Sequence, residues 1–111
     1  MHFIFEVHLK PGYPAENYAE GWLAASKIIQ QAPGALGTRL HRKIGCDDVL
    51  LAIATWESKH LRDNMEGNPS AEVEAIIRSQ LPYVEIRLIG EYESPEWMVL
   101  PDGVESPPGW K

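Results

Sequence analysis

The sequence predicts a single α+β domain: a four-stranded antiparallel sheet with helices on one face, the ferredoxin-like arrangement. Three observations lead there. Strand-like and helix-like hydrophobic periods follow one another in the order βαββαβ, with the second helical region broken in two. Right-handed crossovers on that order make the first and third strands central. At 111 residues the chain has room for one hydrophobic core.

Each element has its own justification. Phe3, Phe5, Val7 and Leu9 alternate with His2, Glu6 and His8, the period of a strand with one buried face. "PGYP" ends it, and Pro14 suits the first turn of a helix with Glu16 close behind. Tyr18, Trp22, Ala25, Ile29 and Ala32 then form an apolar stripe that stops at Pro33-Gly34. A second strand over Ala35 to Lys43 puts Leu36, Thr38 and Leu40 on one side and Gly37, Arg39 and His41 on the other. "IGCDD" is sized for a hairpin loop, and the run from Val49 to Trp56 is apolar on both faces, as a twice-covered central strand should be. Ser58 can cap a short helix through about Glu66, and Asn68-Pro69 can open another with Val73, Ile76 and Ile77 inward. Pro82 stops it. The last strand, Tyr83 to Tyr92, sets Val84, Ile86 and Leu88 against Glu85 and Arg87.

On one assignment of its faces, the third strand gives the sheet face away from the helices Leu50, Ala52 and Ala54, mixed with Ile4, Glu6, His8, Arg39, His41, Glu85 and Arg87. Acid and base balance there, which predicts a homodimer packed through its sheet faces, because a two-fold contact needs a self-complementary patch. Residues 94–111, "SPEWMVLPDGVESPPGWK", are too rich in proline for a regular helix. Trp97, Met98, Val99, Leu100 and Trp110 are nonetheless too apolar to stand in water, so an extended arm on the domain or on a partner subunit is expected. The domain proper is then residues 1–93.

Composition narrows the function. A net charge of −6 and no basic block longer than "HRK" argue against nucleic acid as a partner. One cysteine rules out an intrachain disulfide and fits a reducing, cytoplasmic setting. The N-terminus alternates where a signal peptide would be unbroken, and no apolar run approaches the roughly 20 residues of a membrane span. The four histidines, 2, 8, 41 and 60, lack close metal-ligand spacing, and Cys46 beside Asp47 and Asp48 is poorly placed for thiolate chemistry. No nucleotide-binding or nucleophile-elbow motif is present.

Three stretches carry a resemblance: "FIFEVHLKPG", "QAPGALGTRLHRK" and "LLAIATWESKHLRDNMEGNPS". Together they resemble the antibiotic biosynthesis monooxygenase (ABM) domain of the dimeric α/β-barrel superfamily, over residues 2–93. The resemblance implies a barrel built from two facing sheets. It also implies a choice of activities: oxygenation of polycyclic phenols or quinols without metal or flavin, haem degradation, or none assigned. The haem-degrading members resemble this chain at Trp56. They also carry an asparagine where Val7 stands and a histidine in the region of "NPSAEVEAII", and both are missing here.

The expectation is therefore a cofactor-independent monooxygenase acting on a small aromatic or quinol substrate, with no bound cofactor and no metal. Trp56, Trp22 and Tyr18 would form its substrate pocket, and His60, His41 or Arg39 would act on the substrate or hold its anion. The alternative is a non-catalytic or stress-related dimeric barrel that binds a small hydrophobic ligand.

Overall fold

The computed structural model describes residues 1–105. The alternating N-terminal stretch folds as β1 (His2–Leu9), with the Val7 side chain wholly buried. Helix α1 (Ala15–Ile29) starts directly after Pro14, which holds the N-cap and not the first turn. It ends before Ala32, and Gly34 turns the chain at a φ of 87°. That left-handed backbone favours glycine, and a side chain there would also meet Leu61 at 2.6 Å.

Strands β2 (Ala35–Lys43) and β3 (Cys46–Trp56) are joined by Ile44-Gly45 alone. Lys43 pairs with Cys46, so Asp47 and Asp48 belong to β3 and the expected wider loop does not form. Ser58 caps α2 (Lys59–Gly67), accepting from Leu61 N at 3.2 Å. Ser70 caps α3 (Ala71–Gln80) in the same way, two residues beyond the expected Asn68 start. A 3₁₀ turn over Leu81–Tyr83 leads into β4 (Val84–Tyr92).

The sheet order is β2-β3-β1-β4 with every pair antiparallel, so the first and third strands are central as expected. Register fixes the faces, since residues paired across strands project to the same side. Phe3, Phe5 and Val7 pair with Ala54, Ala52 and Leu50. These three β3 residues therefore lie on the helix side, which corrects their assignment to the open face. The open face instead carries Ile4, Glu6 and His8 beside Ile53, Leu51 and Val49, with Arg39 and His41 on β2. Glu6 bonds His8 at 2.9 Å, and that bond, ahead of nearby cations, lowers the Glu6 pKa.

A bulge breaks the β1–β4 pairing: Phe5 faces Leu88 while Ile4 faces Gly90, leaving Ile89 as the extra residue. From there the alternation of β4 is inverted. Glu91 lands beside Phe3 on the helix side, where the unbroken alternation would have sent it to the open face. Beyond the domain, β5 (Met98–Leu100) and β6 (Gly103–Glu105) pair only with each other. The arm is thus a small hairpin over these residues, with Trp97 and Val99 exposed; Trp110 lies outside the described residues. Among the described residues no helix is long and apolar enough to cross a membrane.

Candidate functional site

Between the helix side of the sheet and the three helices lies a partly enclosed cavity of about 290 Å³. That is the lower end of the range for small-molecule sites, roughly 300–1,000 Å³. Its floor is the β1 and β3 register described above: Phe3, Phe5, Ala54 and Trp56. Ala54 matters as much as the aromatics, because a larger residue there would raise the floor into the space. Trp56 ends β3 and is 2% exposed. Its backbone is pinned by the N-terminus: Met1 N donates to Trp56 O, and Trp56 N donates to Met1 O, both at 2.9 Å.

One wall is α1. Tyr18, Trp22, Ala25 and Ile29 recur at helical spacing, so one stripe of the helix faces the cavity. Tyr18 is also part of the core around Val7, Leu9 and Leu50. Burial, and secondarily the neighbouring Tyr13, push its hydroxyl pKa up to about 12. It is a neutral phenol at physiological pH. Thr38 and Gln30 also reach the cavity, but both are engaged locally. Thr38 Oγ1 donates to Ile53 O at 3.3 Å, and Gln30 Oε1 accepts from Gly37 N at 2.8 Å.

The other wall comes from α2 and α3. Arg62 and Met65 on α2 line the cavity, and the Arg62 guanidinium stacks 3.7 Å above the Phe3 ring. Arg62 also bonds Glu66 at 2.7 Å and lies 3.8 Å from Glu91. Lys59 bridges Glu91 and Asp63 at 2.9 and 3.0 Å, and these two bonds, the one to Glu91 first, raise its pKa. Arg62 and Glu66 line the cavity, and with Lys59, Asp63 and Glu91 they form a cluster of two cations and three carboxylates that already satisfy one another. From α3 come Val73, Ile77 and Gln80, the last buried and polar.

Trp56, Trp22 and Tyr18 thus lie together around one hollow. His60, His41 and Arg39 do not line it. His60 is exposed on α2, and His41 and Arg39 stand on the opposite face of the sheet, paired with Leu51 and Ile53. His41 borders only a separate hollow of about 110 Å³ at the α1–β2 edge. Val7, at the position where the haem-degrading proteins carry asparagine, is core. Among the described residues, no three histidine, cysteine or acidic side chains cluster as metal ligands.

Sequence reasoning passed over Arg62 and Gln80. Arg62 lies in "ESKHLRDNMEG", whose density of charge reads as a solvated helix face. Gln80 had a signal: it follows Val73, Ile76 and Ile77 at helical spacing and so shares their inward face.

The fold is the one shared by antibiotic biosynthesis monooxygenases. SnoaB, a cofactor-independent oxygenase from Streptomyces nogalater, superposes with a TM-score of 0.65 at 16% identity, over 84% of this chain and 93% of its own. A conserved protein of unknown function from Bacteroides thetaiotaomicron gives 0.66 at 14% identity, over 78% and 89%. A further antibiotic biosynthesis monooxygenase gives 0.60 at 11% identity, over 84% and 100%. No protein-family model matches the chain, and no curated protein matches it.

Proposed function

We propose that this chain is a cofactor-independent monooxygenase acting on a small aromatic or quinol substrate. The observation that carries the reading is the cavity walled by Trp22, Trp56, Phe3 and Phe5, on a fold shared with SnoaB. Oxygenation without a cofactor needs a ring that, once deprotonated, can pass an electron to dioxygen itself. The protein then has to supply a dry, shaped space and hold the ring in one orientation. Flat aromatic walls do this by offset stacking, and a partly closed space excludes water from the reactive anion. The test is oxygen uptake with a panel of hydroquinones and anthrones. Trp56→Phe, with its fold verified by circular dichroism, should lower turnover about tenfold or more if ring orientation controls the barrier. No uptake by the wild-type chain with any member of the panel would defeat the reading.

A second reading is favoured by a specific observation. The histidines and Arg39 lie off the cavity, while Arg62 and Glu66 are bonded to each other, so no unengaged charged group faces the ligand space among the described residues. A binding protein that keeps the pocket without the chemistry would have this arrangement. Ring binding without oxygen consumption distinguishes it.

The sheet's open face supports a homodimer. Ile4, Leu51 and Ile53 are half-buried on the side of the sheet away from the helices, and Glu6, His8, Arg39, Glu85 and Arg87 surround them with balanced charge. Such a patch fits a two-fold copy of itself.

A further inference from the structure

Among the described residues Gln80 is the buried polar side chain, at 7% exposure. It closes α3 and reaches across to α1, where its Nε2 donates to Tyr18 O at 2.9 Å. It can do so because residue 21 is glycine: a Cβ there would stand 2.3 Å from that nitrogen. The bond also fixes the amide's orientation. Turned around, Oε1 would face the Tyr18 carbonyl, and two acceptors would meet.

Oε1 itself has no hydrogen-bond partner among the described residues, and no buried side-chain oxygen or nitrogen among them is left unpaired. Oε1 therefore touches open space, and the open space that Gln80 lines is the cavity. A fixed acceptor beside the apolar side chains of Val73 and Ile77 recognises a hydrogen-bond donor.

We propose that Gln80 is a specificity-determining residue whose Oε1 accepts a hydrogen bond from the hydroxyl of a ring bound in the cavity. The ligand class is then a phenol or hydroquinone in its protonated form. An ether of the same ring brings no proton and leaves the amide oxygen unpaired. A quinone brings only carbonyl oxygens, so the same contact holds the reduced ring and repels the oxidised one. This inference rests on the aromatic-cavity reading above and adds to it the polar group that selects the ligand.

Titration calorimetry of the full chain with alpha-naphthol and with its methyl ether tests it. The wild-type protein should bind naphthol about tenfold more tightly, the difference expected for one unpaired buried acceptor. Gln80→Met, which keeps the shape and removes the amide, should bring the ratio to about one by weakening naphthol alone. Gln80→Glu, measured at mildly acidic pH where the buried carboxyl is protonated, keeps both a donor toward Tyr18 O and an acceptor oxygen at the same reach and should keep the preference, so it carries the test should the methionine variant fail to fold. A preference that survives in Gln80→Met, is lost in Gln80→Glu, or is absent from the wild type would overturn the assignment. A merely structural role for Gln80, tying α3 to α1, would weaken both ligands equally and leave the ratio unchanged. Wild-type protein that binds neither ring would overturn the aromatic cavity and Gln80 with it. A ring bound without preference would overturn Gln80 alone.

Discussion

Tyr18 illustrates how one residue serves two environments. Its ring packs in the core and lines the cavity, and burial raises its pKa from 10.0 to about 12. The sign follows from linkage. A folded pKa above the unfolded value means that the fold holds the proton more tightly, so stability is complete below pH 10 and is lost as pH rises toward about 12. The full effect is about 2–3 kcal/mol. Tyr18→Phe should therefore flatten the alkaline decline in denaturant midpoint; equal slopes in the two proteins would mean that the hydroxyl is not desolvated as described.

At the scale of elements, α2 is the least anchored part of the site wall. None of its residues is buried. Its attachments are the Ser58 cap, the Arg62–Phe3 stack, the ion pairs to Glu91 and the contact of Leu61 with Gly34. The Glu91 contacts exist because the bulge at Ile89 turns that carboxylate to the helix side. Arg62→Ala should lower amide-exchange protection across residues 59–67 by about 1–2 kcal/mol while leaving β1 and β3 protected. Uniform loss across the sheet would show instead that α2 is integral to the core. Gly34→Ala should destabilise by more than about 1 kcal/mol, because its backbone is left-handed and Leu61 occupies the space.

For the molecule as a whole the open sheet face is the proposed dimer contact. Ile53→Asp places a charge at the centre of the proposed contact and should convert a dimer to a monomer in sedimentation without altering circular dichroism. A wild-type chain that sediments as a monomer at micromolar concentration would remove the dimer. The C-terminal hairpin belongs to the same question, since Trp97 and Val99 are 57% and 78% exposed in the single chain. Truncation after Ser94, which spares the contact of Ser94 with the N-terminus, should weaken the dimer or lower the melting temperature. An unchanged protein would mean that the hairpin covers nothing.

By itself the sequence determined the strand and helix order, the central positions of the first and third strands, and the grouping of Trp22, Trp56 and Tyr18. These follow from periodicity, which is local: a stripe at helical spacing or an alternating strand names its inward face from neighbouring residues alone. Tertiary structure decided what depends on register and on contacts distant in sequence. Pairing of Phe5 with Ala52 moved Leu50, Ala52 and Ala54 to the helix side, because a strand apolar on both faces gives no local sign of which face meets the helices. One extra residue at Ile89 carried Glu91 to the helix side, within reach of Lys59 and Arg62. The meeting of α3 with α1 at Gly21 seated Gln80 beside Tyr18, 62 residues away in the chain. A polar residue's role depends on which partner reaches it, and here only the packing of the helices settles that.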